Sequence, residues 1–137
     1  MNETVLELEK LTIALPPGAD RANAVSDIDL KLRAGKVTCL IGESGSGKSL
    51  VARSILGLLP GPHVRVGSGR ILFESQDLVR VPQNRIREIR GAKIGMIFQE
   101  PMTALNPLRT IGDQIGEMFR THTALDDAAI RDRKSVV

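Results

Sequence analysis

The stretch Cys39-Leu40-Ile41-Gly42-Glu43-Ser44-Gly45-Ser46-Gly47-Lys48-Ser49-Leu50-Val51-Ala52 decides how this chain is read. Gly42, four intervening residues, Gly47, Lys48 and Ser49 match the phosphate-loop (P-loop) pattern. The flanks fit it: Lys36 to Ile41 reads as a short buried strand, and Lys48 to Leu59 reads as a helix. Polyphosphate needs several donors converging on one concave surface. Gly42, Gly45 and Gly47 are expected to take positive φ and bring backbone N–H groups close to oxygen, with Glu43, Ser44 and Ser46 completing the cradle. A helix beginning near Lys48 adds its free N–H groups and the positive end of its dipole. Lys48 is the candidate contact to the β- and γ-phosphates as a point charge, and the Ser49 hydroxyl the candidate Mg²⁺ ligand. The alternative is an ordinary Gly/Ser turn.

The rest of the composition narrows the class. The chain has 137 residues, 42% hydrophobic and 26% charged, which is enough for a small domain with a core and argues for a soluble globular chain over a disordered one. No apolar run approaches a membrane span, and no charged-then-apolar segment opens the chain, so the cytoplasm is the default location, with a peripheral seat on a membrane protein left open. The net charge of +3 is modest. Arg85, Arg87, Arg90 and Lys93 form the only basic cluster; no aromatic residue is interleaved and Trp and Tyr are absent, so a solvated helix face explains it better than stacking on nucleic-acid bases. Cys39 is the only cysteine; it lies in an apolar stretch and is expected to be a small core residue, with no disulfide possible within the chain. His63 and His122 have no partner at ligand spacing and are expected at the surface.

Along the chain, Thr4 to Leu15 alternates loosely between apolar and polar residues and reads as a strand interrupted near Glu9-Lys10, ended by Pro16-Pro17-Gly18. Ala24 to Arg33 reads as a second, half-buried strand. Beyond the P-loop helix, Leu59-Pro60-Gly61-Pro62 is a firm stop. Val64 to Glu74 reads as a strand with a bend or bulge at Gly67-Ser68-Gly69, Gln76 to Val81 as a short connection, and Pro82 to Arg90 as a short polar helix stopped by Gly91. Lys93 to Phe98 is nearly all apolar and reads as a strand; Gln99 to Leu108 reads as a loop. Thr110 then opens a helix, with Asp113 as a capping partner, whose Ile111, Ile115, Met118 and Phe119 share one face and are expected to serve core or subdomain packing. Another helix begins near Asp126. There is no internal repeat or low-complexity linker.

Gln99-Glu100-Pro101-Met102-Thr103-Ala104-Leu105-Asn106-Pro107 separates the P-loop classes. The stretch resembles the Q-loop of ATP-binding cassette (ABC) proteins. Its form, together with Gly42 to Ser49 and Thr110-Ile111-Gly112-Asp113-Gln114-Ile115, is similar to the peptide and nickel importer subfamily. A Walker B strand ending in Glu100 is the competing reading of Ile94 to Glu100, but that motif needs an Asp where Gln99 stands.

The resemblance implies an α/β fold: a P-loop NTPase of the ABC nucleotide-binding type with an N-terminal antiparallel β subdomain. Residues 1–131 would form the N-terminal part of one such domain. It implies ATP and Mg²⁺ as ligands, Lys48 and Gln99 as catalytic residues, and a second role for Gln99, beside Ser49, in holding Mg²⁺ while it senses the γ-phosphate and the attacking water. The implied partners are a second ATP-binding domain and transmembrane permease subunits, at the cytoplasmic side of the inner membrane, and the implied work is import of peptides or related small solutes. A non-transport ABC-type regulatory or interaction module is the alternative, and a generic P-loop kinase or GTPase a further one; the Asn-Lys-x-Asp motif of a GTPase is absent.

Two departures stand out. The family's adenine-stacking aromatic position falls on Leu15, which has no π-face. The Leu-Ser-Gly-Gly-Gln signature, the Walker B Asp-Glu and the switch His are absent; in the family they lie beyond the point reached by Val137. Asp132-Arg133-Lys134-Ser135-Val136-Val137 departs from the family pattern and matches an in-frame translation of a common sequencing-adapter read, so the expectation is a non-native tail on a longer natural protein. A P-loop strand deprived of neighbours leaves bare apolar surface, so poor stability and negligible ATP turnover are expected of these residues alone.

Overall fold

The interruption at Glu9-Lys10 is what shapes the first sheet. In the computed structural model, which describes residues 3–100 and 105–134, β1 (Thr4–Ala14) buries Leu6 and Leu8 before the interruption and Leu11 and Ile13 after it. Strict alternation would send Leu8 and Leu11 to opposite faces. A β-bulge reconciles them. Three steps along β1 from Leu8 to Leu11 match two steps from Leu30 to Ile28 on one neighbour, and Glu9 to Thr12 likewise spans Arg70 to Ser68 on the other. Lys10 takes up the extra residue with φ 48°.

The chain divides into two compact units, Met1–Arg87 and Glu88–Val137. In the first, β1 is flanked by β2 (Asn23–Arg33) and β3 (Arg65–Phe73), and β4 (Gln76–Asp77) adds an edge, giving an antiparallel sheet of order β2-β1-β3-β4. The antiparallel subdomain expected at the N-terminus is therefore present. Glu74 and Ser75, with φ 48° and 65°, form a two-residue hairpin turn between Phe73 and Gln76, so the connection expected from Gln76 begins instead as a strand. Gly69, at φ 91°, sits opposite the β1 bulge. The bulge expected within β3 at Gly67-Ser68-Gly69 is a second one: the single step from Thr12 to Ile13 faces two steps from Ser68 to Val66.

Helix α1 (Lys48–Ile55) packs on β3 and buries Val51 and Ser54. It stops earlier than Pro60 requires. Leu58 N–H donates to the Arg53 carbonyl and Gly57 N–H to that of Ser54, with Gly57 at φ 60°: a glycine C-terminal cap that satisfies two open carbonyls. Helix α2 (Gln83–Ile89) follows Pro82, buries Ile86 and Ile89, and turns Arg85 and Arg87 outward. The basic cluster thus contributes to a solvated face.

Two expected strands do not form. Residues 36–41 have no strand hydrogen bonding among the described residues, and Val37 and Ile41 are 94% and 90% exposed. Cys39, expected in the core, is exposed with them. Of residues 93–98, only Ile94 makes an isolated bridge, to Arg90, and Ile97 is 92% exposed. A run of apolar residues specifies a buried strand only when another strand accepts its backbone groups; within the first unit the sheet of β1 to β4 leaves 36–41 unpaired, and within the second the Ile94 bridge is the one strand contact of 93–98 among the described residues.

In the second unit, α3 (Ile111–His122) and α4 (Asp127–Lys134) pack together, with Gly116 and Ile130 buried. Thr110 caps α3: its Oγ1 accepts from Asp113 N–H at 3.1 Å and donates to Asp113 Oδ2 at 2.6 Å. Of the expected apolar face, Ile115 and Phe119 are half-buried while Ile111 and Met118 remain mostly exposed. His63 is exposed, whereas His122 is half-buried beside Gly91. Asp126 Oδ1 accepts from Ala129 N–H at 2.8 Å and starts α4, which runs through Asp132 to Lys134; residues 135–137 of the suspected tail lie outside the described residues.

Candidate functional site

The loop 42–49 closes on itself through backbone geometry. Ser46 N–H donates to the Glu43 carbonyl at 3.2 Å, making a tight turn across Ser44 and Gly45. Gly45 and Gly47 take φ 78° and 94°, the left-handed conformations that favour glycine. Gly42 does not, contrary to expectation. A Cβ there would lie 2.9 Å from Ser46 Oγ, a hydroxyl that can rotate aside. Gly47 is constrained by space as well as by φ, since its Cβ would fall 2.5 Å from Val25 Cγ1 and 3.1 Å from the Ala24 carbonyl oxygen. The start of β2 therefore buttresses the loop where it enters α1.

The start of α1 carries no side-chain cap. Gly47 is the N-cap, and no acidic residue lies in the first turn. Val51 N–H is the first to find an intrahelical partner, the Gly47 carbonyl at 2.9 Å. The positive end of the helix is thus left without a side chain to offset it.

Lys48 bends back over the loop. Its Nζ donates to the carbonyl oxygens of Gly42 at 2.7 Å and Glu43 at 2.6 Å, and to Ser46 Oγ at 3.2 Å. All three ammonium donors are directed at the loop, which holds a full positive charge at its mouth. Glu43, Ser44, Gly45, Ser46 and Ser49 are exposed, with Gly47 and Lys48 half-buried. The structure thereby brings Gly42, Glu43, Ser44, Gly45, Ser46, Gly47, Lys48 and Ser49 into one solvent-facing element. Its backbone donors and the Lys48 ammonium suit a phosphate chain.

One contact could not be anticipated from residue spacing. Arg21, on the connection between β1 and β2, donates through Nη2 to the Gly45 carbonyl at 2.6 Å. No local rule links two residues so far apart in the chain. Leu15 lies at the base of the same connection, half-buried, its N–H donating to the Ala22 carbonyl at 2.9 Å.

Gln99 belongs to the second unit and is exposed in a bend; residues 101–104 of the Q-loop-like stretch lie outside the described residues. Side-chain hydrogen bonds hold the segment from Asn106 to Gln114. Asn106 Oδ1 accepts from Leu108 N–H at 2.9 Å, and the Gln114 amide accepts from Asn106 N–H at 2.8 Å while donating to the carbonyls of Asn106 and Arg109 at 3.1 Å each. Arg109 pairs with Glu117. Asn106 and Gln114, separate features of the sequence, are parts of one clamp.

Comparison with known proteins bears on this arrangement. The chain is 46% identical over 131 residues to a peptidoglycan transport ATP-binding protein, YejF, of Agrobacterium fabrum, covering 96% of this chain and 24% of that protein. It is 43% identical over 129 residues to the dipeptide transport ATP-binding protein DppD of Bacillus subtilis, covering 94% of this chain and 38% of that protein. The chain therefore spans only about a quarter to two fifths of the length of these relatives. Among solved structures, the dimeric ATP-binding cassette MJ0796, in a post-hydrolysis state bound to ADP and Pi, superposes with a TM-score of 0.77 at 24% identity, over 93% of this chain and 53% of that one; this shows the shared fold. The sequence profile described as ABC transporter matches residues 25–137, which takes in the phosphate loop and everything after it, and the chain belongs to the ABC transporter family.

Proposed function

We propose that this chain is the ATP-binding portion of a subunit that powers peptide import through an ABC transporter. The observation that carries the reading is the loop 42–49, with Lys48 Nζ held at its mouth and the uncapped start of α1 behind it. The names of the relatives supply the transport context, since both are transport ATP-binding proteins, one of them for dipeptides.

In this reading the backbone N–H groups of Gly42 to Ser49 cradle the phosphates, and Lys48 exchanges its loop carbonyls for β- and γ-phosphate oxygens. Mg²⁺ suits the residues present. Its preference is for hard oxygen donors, few of them from protein and the rest from phosphate and water, and the exposed Ser49 hydroxyl is such a donor on the first turn of α1. Bound there, the metal would neutralise developing phosphate charge. Gln99 is assigned to sensing the γ-phosphate, the metal and the attacking water. A second cassette and permease subunits are the proposed partners, at the cytoplasmic side of the inner membrane. Among the described residues no helix is long and apolar enough to cross a membrane.

Titration of the chain with Mg–ATP tests the binding step: Lys48→Ala is expected to weaken binding about tenfold or more, the cost of a lost charge-assisted contact. Equal affinity of the two proteins refutes it. Uptake of a labelled dipeptide by cells carrying Lys48→Ala in the genomic copy tests the transport step, and undiminished uptake refutes that.

A further inference from the structure

We propose that Arg21 is a positioning residue of the phosphate loop, one that orients the peptide between Gly45 and Ser46 and through it the resting place of Lys48. The inference rests on the nucleotide-binding reading of the loop. Gly45 is at φ 78° and carries no side chain, so nothing of its own anchors that peptide. A trans peptide is planar, with its C=O and N–H pointing in opposite directions. Arg21 Nη2 holds the Gly45 oxygen outward at 2.6 Å, and the Ser46 N–H on the far side of the same plane donates inward to the Glu43 carbonyl at 3.2 Å. That Glu43 oxygen also accepts from Lys48 Nζ, as does Ser46 Oγ. The order of contacts is therefore Arg21, peptide 45–46, Glu43 carbonyl, Lys48.

The guanidinium comes from a part of the chain that is itself tied down. The β1–β2 connection is pinned at its base by Leu15 N–H to the Ala22 carbonyl at 2.9 Å, and turned at Pro16 by Ala19 N–H to the Pro16 carbonyl at 3.2 Å. Immediately beyond it, Ala24 and Val25 press on Gly47. The connection and the first residues of β2 thus hold the loop at two points, Gly45 and Gly47.

The test compares the chain with Arg21→Met, which keeps bulk and removes the donors, and Arg21→Lys, which restores one charged donor. Mg–ATP affinity is expected to fall about fivefold in Arg21→Met, in keeping with one exposed charge-assisted hydrogen bond, and to recover to within about twofold in Arg21→Lys. Amide exchange of nucleotide-free protein is expected to quicken at Ser46 in Arg21→Met while Leu8 of β1 is unchanged. Affinity within about twofold of the parent, with Ser46 exchange unaltered, overturns the inference and leaves the Lys48→Ala result to carry the ATP reading. A general fall in protection that includes Leu8 also overturns it, because Arg21 would then serve only the fold. If the parent chain binds no Mg–ATP, the nucleotide reading falls on its own account and Ser46 exchange still decides whether Arg21 sets the peptide.

Discussion

Gly69 lies so close against Lys10 that a Cβ on it would fall 2.4 Å from the Lys10 carbonyl oxygen, and 2.6 Å from that of Glu9. Its φ of 91° is the left-handed region as well. The bulge that lets β1 bury four apolar residues thus depends on a glycine in the neighbouring strand. Gly69→Ala is expected to destabilise the chain by about 2–4 kcal/mol, through backbone strain and displacement of the bulge. Urea denaturation of the two proteins measures it, and coincident midpoints would contradict the account.

Gly47 carries the same double constraint at the phosphate loop. Gly47→Ala is expected to abolish measurable Mg–ATP binding by calorimetry, because the new Cβ meets Val25 Cγ1 and the backbone must leave φ 94°. Adding Val25→Ala removes the side-chain clash but neither the conformational cost nor the 3.1 Å approach to the Ala24 carbonyl. The double variant should therefore recover only part of the affinity; full recovery would show that the clash alone matters.

Stability at acid pH should depend on Asp29. The Lys10 ammonium donates to its carboxylate at 2.5 Å and the Lys10 N–H at 2.9 Å, and these bonds, with the charges of Lys10 and Lys31, hold the Asp29 carboxyl below its ordinary value of 3.8. A depressed carboxyl contributes stability that is present above pH 3.8 and lost as the pH falls through the lowered value. Lys10 is raised above 10.5 by the same bond, and its contribution is lost only as the pH climbs past that raised value. The pair is exposed, so the effect is small and screened by salt. Thermal midpoints of parent and Asp29→Asn are expected to differ near neutrality and to converge at strongly acid pH. A constant gap would rule out titration of Asp29 as the cause.

The start of α3 should depend on one hydroxyl. Thr110→Ala removes the acceptor for Asp113 N–H and is expected to cost about 1 kcal/mol, with Thr110→Ser restoring most of it. Amide exchange at Asp113 reads the change directly. Protection there that survives the alanine substitution would mean another group satisfies the N–H.

Features that depend on neighbours a few residues away were legible in the chain itself. The spacing of Gly42, Gly47, Lys48 and Ser49 places a cation beside a tight turn at a helix start, Thr110 and Asp113 make a cap, and the change of parity around Glu9-Lys10 marks a bulge. The Gly57 cap was within reach of the same local reasoning, although Pro60 is the louder signal. Other outcomes were set only by the assembled fold. Apolar composition alone makes 36–41 and 93–98 look like buried strands, yet burial and strand pairing require a partner from elsewhere, and without one Val37, Cys39 and Ile97 face solvent. The grip of Arg21 on Gly45 and the fit of Val25 against Gly47 arise the same way, from a hairpin that returns to the loop from a distant part of the chain. Residue type and short-range spacing encode local hydrogen bonds; which distant surfaces meet is decided by the packing of the whole.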